Sequence, residues 1–328
     1  LYVDELERGG VVPKEAVVRG EFPNDVLIRH RLELRECPIT EMGEEILAKA
    51  TTCKVPVIVN TVNRAIQLYE SLCKEGASRE NPVWLLHSRF TQEDRGNLEQ
   101  NIVRFAGSGW HEKKQDIQTC GVWITTQIVE ASLDIDFDLL YTEMSTLDSL
   151  FQRMGRCYRI RAYEREQTNI IVAVQDCSGV GMGKKAVYHK EIFERSVKAL
   201  RPFDGRVILE SEKMDLVRNL YTRQNLQGTE FLRQFDEAMN LFRSQPLFEL
   251  KNEQAQEKLR DIRQIQVIPE RLWPEVEPVI RSFEASNNRE ERRELRRKIE
   301  AKTVSVPESY KWAGIGFIPL KYKGLEHL

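Results

Sequence analysis

Gln152, Arg156 and Arg159 are the side chains whose types and spacing best suit chemistry in this sequence. A planar, permanently charged guanidinium can take two phosphoryl oxygens at once, which a lysine ammonium cannot. On a helix over 145–159, at about 100° per residue, the three fall within about 60° of one another. They lie opposite a face of Leu147, Leu150, Phe151, Met154 and Tyr158. Ser145 and Asp148 are spaced as a capping box that starts this helix. An ordinary surface helix also sets charge opposite its apolar face, so the spacing alone is neutral between phosphoryl chemistry and a solvated surface.

Three further clusters follow apolar runs: Asn60-Thr61-Val62-Asn63-Arg64, His87-Ser88-Arg89 and Thr125-Thr126-Gln127. Short hydroxyl and amide side chains at the carboxyl ends of strands can meet phosphate oxygens beside backbone N–H groups. Each cluster taken alone reads equally as helix caps and turn residues.

The elements that must carry these residues alternate in type. Val26 to Leu34 suits a strand leading into a domain, and Val57-Ile58-Val59 is a β-branched run of the kind buried on both faces. Val62, Ala65, Ile66, Tyr69, Leu72 and Cys73 follow at helical spacing. Trp84-Leu85-Leu86 is strand-like, and Thr91 with Asp94 opens a helix that carries Leu98, Ile102 and Phe105. Val122 to Ile124, Leu139 to Tyr141 and Asn169 to Val174 are further strands. This alternation predicts βαβ units, hence an α/β domain built on a parallel sheet flanked by helices over about 26–180.

Residues 1–25, punctuated by glycine and proline, read as a connecting arm. Beyond the glycine-rich 179–183 the sequence becomes helical and charged, which predicts a helical linker over 181–245 and a smaller α+β region over 246–328. Helices are expected at Ala186 to Leu200, Phe231 to Phe242, Glu277 to Ala285 with Pro278 in its first turn, and Arg289 to Lys302. Strands are expected at Ile262 to Ile268, Thr303 to Val306 and Ile315 to Leu320. The Arg289 to Lys302 helix mixes both charges, which suits a salt-bridged surface as well as a nucleic-acid backbone. Trp110, Trp273 and Trp312 suit core packing as well as base stacking.

Composition narrows the classes. With 49 Lys and Arg against 51 Asp and Glu, the formal charge of −2 gives no global basic field, so any polyanion site is a local patch. Six scattered cysteines show no Cys-x-x-Cys and no zinc-like pairing with histidine, so reduced thiols and no metal held by this chain alone are expected. No apolar run approaches the length of a membrane span, and no N-terminal apolar region suggests a signal peptide.

Two ordered stretches carry a family resemblance. Thr126-Gln127-Ile128-Val129-Glu130-Ala131-Ser132-Leu133-Asp134-Ile135-Asp136, followed by Gln152-Arg153-Met154-Gly155-Arg156-Cys157-Tyr158-Arg159, resembles motifs V and VI of superfamily 2 helicases. The run at 132–138, the Leu85 to Thr91 segment, Val57 to Arg64 and Asp148-Ser149-Leu150 resemble the CRISPR-associated helicase-nuclease of type I systems. The resemblance is specific over about 55–160. Ser132, where the wider superfamily has glycine, and Tyr158 fit this branch better than the DEAD-box kind.

The resemblance implies a second RecA-like lobe with Arg156 and Arg159 as arginine fingers on a γ-phosphate and Gln152 and Gly155 alongside. Asp134 is implied near the nucleotide ribose. Thr126 is implied on the DNA backbone, coupling it to the ATP cleft, with Asn60, Thr61, Ser88, Arg89 and Thr125 as further contacts to the strand. ATP and magnesium are implied as ligands, but no Gly-x-x-x-x-Gly-Lys-Ser/Thr occurs, so both need a first RecA-like lobe that these residues do not supply. No acidic box or metal-site His-Asp pair occurs either, so the nuclease domain is expected elsewhere and the chain alone is expected to be inactive. The implied partners are single-stranded DNA, an RNA-guided type I surveillance complex and the remaining helicase-nuclease domains, in a prokaryotic cytoplasm. Two alternatives stay open: a general superfamily 2 DNA or RNA helicase lobe, and a non-catalytic binding fragment held by a partner.

Overall fold

The structure is a computed structural model that describes residues 13–16, 27–78, 81–107, 119–130, 133–183, 186–244 and 264–307. The expected arm over 1–25 falls almost wholly outside them. So do Trp110, Trp312, Ala131, Ser132 and the strand expected at Ile315 to Leu320.

Six strands form one sheet: β1 (Leu32–Arg35), β2 (Lys54–Ile58), β3 (Val83–Leu86), β4 (Gly121–Thr125), β5 (Leu140–Glu143) and β6 (Ile170–Ala173). Their order is β1-β6-β5-β2-β4-β3, and every neighbouring pair is parallel. Every residue of β2, β4, β5 and β6 is buried, which is why Val57-Ile58, Val122 to Ile124, Leu140-Tyr141 and Ile170 to Ala173 read as apolar runs rather than alternating ones. Strand β1 begins at Leu32 rather than Val26. Ahead of it the backbone pairs elsewhere, with Tyr163 N–H donating to the Ile28 carbonyl.

Helices α1 (Gly43–Lys49) and α2 (Val62–Glu75) cover one face. Ile46, Leu47, Ala65, Leu68 and Leu72 meet Val55, Val57, Val122, Ile124 and Tyr141 there. Leu68, rather than Ile66 or Cys73, completes the inward stripe, because at about 100° per residue it falls within about 60° of Ala65 and Leu72 while the other two fall about 80–120° away. Truncating either buried leucine to alanine costs about 2–5 kcal/mol.

The opposite face is covered by α3 (Gln92–Ala106) and α4 (Leu147–Met154). Three later helices follow: α5 (Lys190–Leu200), α6 (Glu210–Leu220) and α7 (Glu230–Ser244). Ile192, Leu200, Ile208, Leu220 and Leu226 share one apolar cluster with Ile58, Trp123, Leu140 and Val172. The segment expected as a linker is therefore part of the sheet's own packing. Helix α5 starts four residues later than expected, since β8 (Tyr188–His189) pairs with β7 (Val180–Gly181).

The last described segment is a small unit of its own. Strand β9 (Gln264–Val267) pairs antiparallel with β10 (Val304–Pro307), and α8 (Trp273–Ala285) packs on α9 (Arg289–Ala301) through Val276, Ile280, Phe283 and Ile299. Pro278 lies inside α8 rather than in its first turn, because the helix already begins at Trp273 and Pro274 takes the tolerated position. Trp273 packs partly buried against this cluster. The unit docks on the start of α3, where Gln92 N–H donates to the Thr303 carbonyl at 3.0 Å and Lys302 pairs with Glu93 at 2.7 Å.

Candidate nucleotide and nucleic-acid site

Helix α4 ends at Gly155, so Arg156 and Arg159 do not share a helix face. The apolar period runs on to Tyr158, but Phe137 N–H donates to the Arg156 carbonyl and Tyr158 N–H to the Phe137 carbonyl. These bonds bridge Cys157 to Phe137 in the manner of a parallel strand. Burial of Cys157 beside the sheet outweighs continuation of the helix. Tyr158 takes the left-handed φ of 49°, an uncommon conformation for a bulky residue. Its ring packs edge-on to Tyr163 at 4.7 Å and beneath Arg161 at 4.2 Å.

The capping box expected at the other end does not form. Thr146 is the N-cap but its side chain makes no capping hydrogen bond, while the Leu147 N–H is taken by Ser196 Oγ at 3.2 Å. Ser145 Oγ turns to the Thr146 carbonyl, and Asp148 accepts from Tyr221 Oη at 2.7 Å.

The two arginines instead contact the chain that follows β4, at residues 130, 133 and 134. Arg156 Nη1 donates to the Leu133 carbonyl at 2.6 Å and its Nη2 to the Glu130 carbonyl. Arg159 Nε lies 3.2 Å from Asp134 Oδ1, and both side chains reach solvent. Below them the loop is anchored by Asp136, which is fully buried and accepts from Arg159 N–H at 2.9 Å and Arg161 Nε at 2.7 Å. Gln152 is exposed on α4, and Gly155 is the helix's C-cap.

Arg156 and Arg159 stand together at this edge, beside the carboxylates of Asp134 and Glu130. Arg156 Nε is buried with no hydrogen-bond partner. Burial, then the neighbouring Arg159 charge, lowers the Arg156 guanidinium below the usual arginine range. Among the described residues no group of three His, Cys, Asp or Glu side chains is arranged to hold a metal ion.

Beneath this edge lies a buried polar network that the sequence reading missed. Arg153 is wholly buried in α4 and all five of its guanidinium N–H groups find acceptors. Nε donates to Glu130 Oε1 at 2.8 Å; Nη1 donates to Thr142 Oγ1 at 2.9 Å and to the Glu143 carbonyl at 3.0 Å. Nη2 donates to Asn60 Oδ1 at 2.9 Å and Tyr188 Oη at 2.8 Å. Glu143, at the end of β5, accepts from Asn60 N–H at 2.6 Å and Ser178 Oγ at 2.8 Å, with Arg64 Nε at 3.4 Å.

This network removes Asn60 from the set of surface contacts. It is buried, its Nδ2 donates to the Met144 carbonyl at 2.9 Å, and its Oδ1 is held by Arg153. Thr125 and Thr126 are likewise buried at the end of β4, where close parallel packing between β2 and β3 encloses them. Thr61 is half-buried as the N-cap of α2: its Oγ1 accepts from Arg64 N–H at 3.3 Å and donates to Ser178 Oγ at 3.1 Å. Gly179 passes directly over this cap with φ of 72°, and a Cβ there would stand 2.9 Å from Thr61 Cγ2. Ser88 is exposed after β3, and the half-buried Arg89 donates to Asn63 Oδ1 at 2.7 Å. His87, stacked on Phe90 at 4.4 Å, is pushed down to about 4 by burial and then by Arg89, and so remains neutral at ordinary pH.

Residues 51–162 match the family described as CRISPR-associated nuclease/helicase Cas3, C-terminal. A Cas3 nuclease/helicase of Methanothermobacter thermautotrophicus is 29% identical over 201 residues, which cover 60% of this chain and 22% of that protein. A Cas3 endonuclease/helicase of Thermus thermophilus is 33% identical, covering 53% of this chain and 24% of the relative. The chain thus spans about a quarter or less of the length of these relatives. The structure titled T. fusca Cas3-AMPPNP superposes with a TM-score of 0.68 at 19% identity, over 91% of this chain and 38% of that one. A chain of a CRISPR RNA-guided surveillance complex in a pre-nicking state gives 0.63 at 18% identity, over 91% of this chain and 40% of that one. At such identities these likenesses show the fold alone, a RecA-like parallel sheet flanked by helices with a small additional sheet.

Proposed function

We propose, for a chain that carries a C-terminal helicase portion of the Cas3 kind, that it supplies the second RecA-like lobe of an ATP-driven translocase on single-stranded DNA. In the whole protein this motor would serve type I CRISPR interference in a prokaryotic cytoplasm, recruited by an RNA-guided surveillance complex and working beside a nuclease domain. The second lobe would occupy about 26–180, with the following helices packed on it and a partial C-terminal domain after 246. The observation that carries the reading is the edge formed by Arg156, Arg159 and Asp134, with a buried unpartnered guanidinium N–H beside an exposed ion pair.

In this role Arg156 and Arg159 would face the γ-phosphate, with Gln152 and Gly155 alongside. Asp134 would release Arg159 as the phosphate arrives and lie toward the ribose. Charge spread over the phosphoryl oxygens in the transition state is what two guanidinium groups stabilise. ATP, as substrate, would bring the phosphoryl group, and magnesium would supply charge neutralisation there. Magnesium and the phosphate cradle would come from the other lobe. Thr61, Ser88 and Arg89 would take the DNA backbone. Asn60, Thr125 and Thr126, being enclosed, would act by holding those strand ends in place.

The chain alone is expected to show no DNA-stimulated ATP hydrolysis, and mixing with a P-loop-bearing first lobe should restore it. Robust turnover by the chain alone would overturn the reading.

A further inference from the structure

The segment just before β1 touches the arginine loop and α6 at the same time. Arg29 Nη1 donates to the Arg159 carbonyl at 2.8 Å, while its Nη2 lies 2.6 Å from Glu210 Oε1 at the start of α6. The next residue, His30, is wholly buried; its Nε2 donates to the Cys157 carbonyl at 2.8 Å and its Nδ1 accepts from Lys213 Nζ. Lys213 in turn pairs with Glu210 across one turn of α6. Two adjacent side chains thus hold the carbonyls of residues 157 and 159, and two side chains one helical turn apart hold those two in place.

The residue between the anchored carbonyls is Tyr158, with its left-handed φ of 49°. A bulky residue keeps such a backbone only where the surroundings over-determine it. The charges are arranged to make these bonds dependable. Burial, then the Lys213 charge, holds His30 down to about 4, so the imidazole is neutral and Nδ1 is bare to accept from Lys213. Burial alone would raise Glu210, but the adjacent Lys213 and Arg29 charges outweigh it and hold its carboxyl far below the usual range. Apolar residues of like volume would fill this space without fixing the direction of any carbonyl.

We propose that Arg29 and His30 are positioning residues that tie α6 to the 157–159 backbone and so set where Arg156 and Arg159 present their guanidinium groups. The catalytic part of this inference rests on the nucleotide-facing role proposed above; the backbone part does not. Movement of α6, which packs on α4 and α5, would then reach the arginines through two hydrogen bonds rather than through the sheet.

Hydrogen exchange on the whole chain tests the backbone part. Arg29→Ala and Glu210→Gln should speed exchange at 156–159 by roughly tenfold or more while β2 and β4 keep their protection. If Arg29→Ala also loosens the sheet, the nearly isosteric Glu210→Gln decides. Unchanged exchange in the loop in both variants overturns the proposal. In a mixture with the P-loop-bearing lobe, both variants should lower kcat for ATP roughly tenfold with KM within about twofold, since misplaced arginines lose transition-state contacts first. A loosened loop with unaltered kcat overturns the catalytic part. A wild-type mixture that does not hydrolyse ATP counts against the nucleotide reading alone, and the exchange result still decides the backbone part.

Discussion

Arg159 Nε and Asp134 Oδ1 lie 3.2 Å apart with both side chains open to solvent, so an acidic residue occupies the arginine where an anionic ligand would. Exposed pairs of this kind contribute about 0–1 kcal/mol, because water and salt screen them. The pair can therefore open at small cost. It shields the arginine without locking it.

Asp134→Asn should accordingly leave the fold unchanged, with a thermal midpoint within about 2 °C of wild type. In the two-lobe mixture the same variant should change the KM for ATP. A large drop in melting temperature would show that the pair is structural, and an unaltered KM would remove Asp134 from the nucleotide edge.

Arg153 should behave in the opposite way. It is wholly buried, and its loss takes one donor from each of Glu130, Asn60, Thr142 and Tyr188 in or beside the interior. Arg153→Ala should cost about 3–5 kcal/mol in urea unfolding, the range for breaking one side of a buried ion pair. Lysine cannot supply five donors in a plane, so Arg153→Lys should recover only part of this. Wild-type stability in both variants would mean that the network is not formed in solution.

How far these features are legible in the sequence depends on how local their causes are. Strands β2, β4, β5 and β6 are readable because burial on both faces leaves apolar runs, and α2 because its stripe repeats at the helical period. The end of α4 is not readable. Periodicity carries through Tyr158, whereas the backbone departs at Gly155 to bridge a segment about twenty residues upstream. Arg153 is hidden for the same reason, since its acceptors Glu130 and Asn60 are 23 and 93 residues away. The arginines themselves were visible by type; the carbonyls that hold their loop, and the burial of Asn60, Thr125 and Thr126, exist only once the sheet is assembled.

His30 gives the structure a pH dependence whose sign follows from its surroundings. The charged and titratable groups around it are Arg29, Lys213 and Glu210, and burial is the largest influence. Its folded pKa of about 4 lies below the ordinary 6.5, so the folded state binds the proton less readily than the unfolded chain. Its contribution is present above pH 6.5 and is lost as the pH falls toward 4. Between pH 7.5 and 5 the loss from this residue amounts to about 2 kcal/mol. Urea titrations at the two values check it: a wild-type loss of that size should shrink in His30→Gln, and a loss of the same size in the variant would place its origin elsewhere.

Arg156 offers the sharpest contrast between charge and shape. Its Nη1 and Nη2 hold the Leu133 and Glu130 carbonyls, so the plane of the guanidinium is fixed before any ligand arrives, and Nε is left buried and unpartnered. Arginine fingers contribute about 10³–10⁵ in kcat where they act on a transferring phosphoryl group. In the two-lobe mixture Arg156→Ala should therefore abolish measurable DNA-stimulated hydrolysis. Arg156→Lys keeps the charge but loses the planar fork that holds two carbonyls at once, so it should remain at least about a hundredfold below wild type. Both variants should still melt cooperatively, because the Arg156 carbonyl that pairs with Phe137 N–H is a backbone group untouched by either change. Rescue by lysine to near wild-type rate would mean that Arg156 acts only as a point charge, and that its two carbonyl bonds orient nothing the reaction needs.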